Sequence, residues 1–148
     1  MIVYPAVIVH GLADAEAALA PGLPVTLLSA PGAACFAGCN WWREIVNAAR
    51  AAFPDTEATD ILDCADASGT AMGALRSGVS RLVLLPEAPG WCGVAAIAAR
   101  QGGFVLPQAP AALDLAQPNG FVLPQAPAAL DLAQPNGRRQ LHAWLRSR

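Results

Sequence analysis

Short apolar runs rich in β-branched residues alternate along the chain with stretches whose apolar positions recur every three to four residues. The first kind predicts strands buried on both faces, the second amphipathic helices. Ala6 to His10 (AVIVH) is the first strand, ended by Gly11, and the alanine-rich Asp14 to Ala20 is a helix closed by Pro21-Gly22. Val25 to Leu28 repeats the strand pattern, and a loop of small residues, Ser29 to Cys39, follows it. Asn40 is the expected N-cap of a helix from Trp41 to about Phe53. That helix has the clearest period, with Trp42, Ile45, Val46, Ala49 and Phe53 on one face and Arg43, Asn47 and Arg50 on the other.

Ile61 to Cys64 is the third strand, and the segment Asp63 to Thr70 leads into a helix with Met72, Leu75 and Val79 inward and Gly78 near its C-cap. Leu82 to Leu85 is the fourth strand. A helix from Trp91 to Gln101 ends at Gly102-Gly103, and Phe104 to Leu106 is the fifth strand. Asn136 is placed to cap a last helix in which Leu141, Trp144 and Leu145 face inward, with His142 a boundary residue beside that stripe.

Five short apolar strands separated by helices predict an α/β protein. The expected architecture is a single domain over residues 1–148, a three-layer, doubly wound sandwich with a five-stranded, mainly parallel sheet. The alternation resembles flavodoxin-like and Rossmann-like domains, a likeness of architecture that implies no function. Half of a (β/α) barrel has the same alternation and is the alternative.

The segment FVLPQAPAALDLAQPNG occurs twice without a change, at Phe104 to Gly120 and Phe121 to Gly137. Two copies are too few for a solenoid, so the identity points to an in-frame tandem duplication of 17 residues. Both copies offer the same side chains for one slot in the sheet. The first, joined to the preceding helix by Gly102-Gly103, is the expected occupant. The second is then an extra edge strand or an extruded, Pro-rich loop.

Composition narrows the chemistry. The nine basic residues are all arginine, which removes Schiff-base formation and the phosphate-binding lysine of a P-loop. A net charge of −2 with scattered arginines makes nucleic acid an unexpected partner. Ala17 to Trp42 carries no charge, but its prolines and glycines cut it into pieces too short to span a membrane. The N-terminal MIVYPAVIVHG lacks the basic start of a signal peptide, so a cytoplasmic location with Cys35, Cys39, Cys64 and Cys92 as free thiols is expected.

The carboxyl ends of parallel strands are where such sheets bind ligands. Here those ends are His10-Gly11, Ser29 to Asn40, Asp63 to Thr70 and Glu87 to Cys92. None carries the G-x-G-x-x-G, Gly-Lys-Ser/Thr or G-x-S-x-G spacing, and a receiver-type acidic cluster with its lysine is missing too, so no cofactor is assigned. Cys35-x-x-x-Cys39 is a single loose pair, and no metal is expected.

The reading preferred from sequence is binding of a small polar or anionic metabolite. Ser29, Asn40, Trp41, Asp63, Asp66, Ser68, Gly69, Thr70, Glu87 and Trp91 are its candidate ligand-binding residues. Plain N-capping accounts for Asp66 and Ser68 taken singly. The alternative is a cysteine enzyme. Cys92 or Cys39, each at a helix start that lowers a thiol pKa and offers N–H donors, would be the nucleophile. His10 would be its base, oriented by Glu87, Asp63 or Asp66. Cys35 and Trp42 are assigned to the core. A third reading is a non-catalytic homo-oligomerisation domain, suggested by the high apolar content and an unpaired edge at the fifth strand.

Overall fold

The structure is a computed structural model that describes residues 4–115 and 135–146, with the backbone alone for 135–138. Its elements are β1 (Ala6–Val9), α1 (Leu12–Leu19), β2 (Val25–Ser29), α2 (Ala33–Phe36), α3 (Cys39–Ala52) and β3 (Ala58–Asp63). There follow α4 (Ser68–Arg76), β4 (Arg81–Val83), α5 (Trp91–Arg100), β5 (Phe104–Leu106), β6 (Ala112–Asp114) and α6 (Pro135–Arg146). The strands form one sheet in the order β5-β4-β3-β2-β1-β6, and the pairs β1–β6, β3–β4 and β4–β5 are parallel. The chain is therefore an α/β fold with a parallel sheet of six strands flanked by helices.

One feature differs from the expected five strands. The sixth, Ala112–Asp114, lies inside the repeat, where the neighbouring prolines mask the short segment Ala-Leu-Asp. Along the sheet β1 to β5 follow one another in one direction, and β6 then returns to the other side of β1, so the winding reverses beside the first strand. The first copy of the repeat occupies the β5 slot as expected and supplies β6 as well. The expectation for the second copy at 121–134 lies outside the described residues.

By its internal contacts the chain divides into two compact units. The first comprises Ser29–Glu44 and Ile61–Ala109. In it Leu62 pairs with Leu82, and Arg81, Leu82 and Val83 pair with Phe104, Val105 and Leu106. Both crossovers, β3-α4-β4 and β4-α5-β5, step the same way, so right-handed connections put α4 and α5 on one face. The two helices pack against each other there. The inward positions of α4 are Ala71, Ala74 and Leu75, with Val79 just beyond, and Met72 is only half-buried. Gly78, at φ 86, accepts the left-handed turn that ends the helix.

The loop after β2 is not irregular throughout. Gly32 (φ 66) opens the short α2, which packs on α4, and Gly38 (φ 89) turns the chain into α3. Because the Trp42 N–H already reaches Gly38 O, α3 begins at Cys39, and Asn40 is an exposed residue inside the helix rather than its cap. The α3 stripe of Trp42, Ile45, Val46 and Ala49 is buried as its period requires.

In the second unit β6 pairs with β1 through Ala6–Ala112, Val7–Leu113 and Ile8–Asp114. All four residues of β1 are buried. α1 starts at Leu12, making Asp14 its third residue, and the Asp14 carboxylate accepts the His10 N–H at 2.9 Å. The carboxylate thus reaches back to the residue before the N-cap, Gly11. α6 begins at Pro135, a residue suited to a first helical position, so Asn136 falls within the helix. Leu141 and Leu145 are buried, and half-buried Trp144 donates its indole N–H to Ala6 O at 2.9 Å. Among the described residues no helix is long and apolar enough to cross a membrane.

Candidate functional site

In the first unit the ends of β2 and β3 are tied together by a buried carboxylate. Asp63, the last residue of β3, is 6% exposed. Its Oδ1 accepts the Gly32 N–H at 3.0 Å and the Ala65 N–H at 2.8 Å. The Asp63 N–H donates to Ser29 Oγ at 2.9 Å, and the Ser29 hydroxyl donates to Ala30 O at 3.2 Å. Ala65 is a non-glycine residue at φ 50, a conformation this carboxylate helps to hold. Ser29 and Asp63 are thus engaged with the backbone, and they shape the loop that the other candidates flank.

The remaining candidates of this unit separate into two places. Ser68 starts α4, where its hydroxyl donates to Pro89 O and joins the loop after β3 to the loop after β4. No side chain caps α4, so neither Asp66, which is exposed, nor Ser68 serves as a cap. Thr70 is half-buried and Gly69 exposed. Glu87 and Cys92 are exposed, and Trp91 is half-buried with its indole N–H donating to Leu84 O at 2.7 Å.

Cys39 lies at the opposite end of α4 from Ser68. Its thiol donates to Ser77 Oγ at 3.4 Å, and Arg43 donates to Ser77 O at 2.8 Å. Since α4 spans nine residues, about 13 Å of helix separates that contact from the loop after β3. α2 accounts for the displacement, because it carries the chain along α4 before α3 begins. Asn40 and half-buried Trp41 travel with Cys39, and the Trp41 ring packs on Trp42 at a centroid distance of 6.2 Å.

The four cysteines are free thiols. Cys35 is exposed, not part of the core, and donates to Cys64 O at 3.6 Å. Cys64 is the buried one, and burial, with the Asp63 carboxylate and the Cys35 and Cys39 thiols beside it, pushes its pKa up to about 12. A thiol in that state is inert. Among the described residues no three His, Cys, Asp or Glu side chains gather to hold a metal.

In the second unit His10 follows β1, and its Nε2 lies 2.8 Å from Oδ1 of Asp114, the last residue of the adjacent β6. An ionised carboxylate only accepts hydrogen bonds, so Nε2 is the donor, and in the neutral imidazole Nδ1 is then the acceptor. No described residue partners Nδ1. The histidine side chain is 37% exposed and the aspartate 15%. The carboxylate that orients His10 is therefore Asp114 rather than Glu87, Asp63 or Asp66. Its signal in the sequence was Ala-Leu-Asp, an apolar run ending in a polar residue as Val-Ile-Val-His does, concealed by the repeat around it. A shallow concavity on α6 is lined by Arg139, His142, Ala143 and Arg146.

Comparison with protein-family models, with curated proteins and with solved structures returned no match.

Proposed function

We propose that the protein binds a small polar or anionic metabolite at the carboxyl ends of its strands, and that His10 is the residue that engages it. The observation that carries this reading is the His10–Asp114 pair: an exposed imidazole whose Nε2 is held by a carboxylate and whose Nδ1 meets no partner among the described residues. Such a group accepts a hydrogen bond from a ligand hydroxyl or takes up its proton. A cysteine-dependent reaction, the alternative, would run through Cys92, since Cys39 is bonded to Ser77 and Cys64 is buried. An association role draws on Phe36, an aromatic side chain left 75% exposed on α2.

The chain has two histidines, so their side-chain NMR signals are readily followed. Titration with inorganic phosphate, citrate and ribose 5-phosphate is expected to move the His10 signals and leave those of His142 in place. His10→Asn should abolish the response to the binding probe in tryptophan fluorescence as well. A His10 spectrum unmoved by all three probes rejects His10 as the ligand-engaging group.

A further inference from the structure

The first copy of the repeat fills two strand slots, Phe104–Leu106 beside β4 and Ala112–Asp114 beside β1. Seventeen positions later the second copy offers the same side chains, Phe121-Val122-Leu123 and Ala129-Leu130-Asp131. The connections decide which of them is used. As described, three residues (101–103) join α5 to β5, five (107–111) join β5 to β6, and twenty (115–134) join β6 to α6. With both slots filled from the second copy, the same connections become twenty (101–120), five (124–128) and three (132–134). With one strand from each copy they are three (101–103), twenty-two (107–128) and three (132–134).

All three arrangements place the same surplus of 17 residues in a single connection and bury identical side chains. Closure entropy grows only with the logarithm of loop length, so it sets the three populations within about a factor of two of one another. No packing difference inside the slots opposes exchange, because the competing strands are the same strand. A three-residue link from a strand to a following helix is also of ordinary length.

We infer that the two repeat copies exchange through the β5 and β6 slots, giving the protein three registers of one fold. The sheet keeps its composition in each, and what moves is the position of the surplus chain: before β5, between β5 and β6, or before α6. A defect in either copy is then rescued by the other.

Leu113 is 1% exposed in the β6 slot, and Leu130 is its counterpart in the repeat. Thermal unfolding of full-length Leu113→Ala, Leu130→Ala and the double variant tests the exchange. Each single variant should melt within about 2 °C of the parent, and the double variant about 10 °C below it, as expected for a truncated core leucine in a chain of this size. A fall in Leu113→Ala greater than half that of the double variant, or a failure of Leu113→Ala alone to fold, overturns the inference. A double variant that melts with the parent overturns it equally, since neither leucine would then fill the slot.

Discussion

Asp63 does the work of several residues with one oxygen. Its Oδ1 receives two backbone N–H groups, from Gly32 and Ala65. Asp63→Ala leaves both donors without their carboxylate, and a loss of about 2–4 kcal/mol in denaturant unfolding is expected. Asp63→Asn keeps the amide oxygen as acceptor and should lose less than half as much. Its neighbour Cys64 shapes the alkaline limit of the fold. The folded thiol holds its proton until about pH 12, whereas an unfolded thiol releases it near 8.5. Between those values the unfolded state binds fewer protons, so stability falls as pH rises, by at most about 1.4 kcal/mol per pH unit. Below the unfolded value this group contributes no slope. Melting temperatures followed from pH 8 to 11 should therefore decline more steeply in the parent than in Cys64→Ala.

At the scale of elements, the turn between α5 and β5 assigns different work to two adjacent glycines. Gly102 has φ 76, the left-handed conformation that ends a helix, with open space where a side chain would stand. Gly103 has no such dihedral, but a Cβ there would lie 2.0 Å from Ser80 O, the acceptor of the Phe104 N–H. Gly102→Ala should lose about 1 kcal/mol, the strain of one alanine in that region. Gly103→Ala must displace backbone and should lose several times as much, measured by the same unfolding curves.

Those glycines were readable as a helix stop, and so was most of the element order. The buried stripe of α3 has a clear helical period, and β1, β2 and β4 stand out as short apolar runs too brief for helices. α2 left no such trace, because four residues, Ala-Ala-Cys-Phe, are too few to display a period. Its consequence for the site was large, since it moves Cys39 to the far end of α4. β6 was hidden for a different reason: a three-residue strand takes its stability from the β1 ladder, a partner more than a hundred residues away in the chain. Local pattern contains no record of that partner, and without β6 the carboxylate beside His10 could not be assigned. Strand order is likewise a property of pairing, which is why alternation predicted a parallel sheet but not the place of a sixth strand beside β1.

For the whole molecule, the β1–β6 ladder sets a timetable. β1 is synthesised more than a hundred residues before Ala112 to Asp114, which pair its outer edge, and before Trp144, which gives Ala6 O its indole donor. Contacts between residues so far apart close late and raise the relative contact order, which slows folding. Throughout translation of the intervening chain the outer N–H and C=O groups of a fully apolar strand stay open to any other extended segment. The second unit is therefore the part of the described fold whose strand edge is paired last, although in the finished fold its first strand is among the most deeply buried.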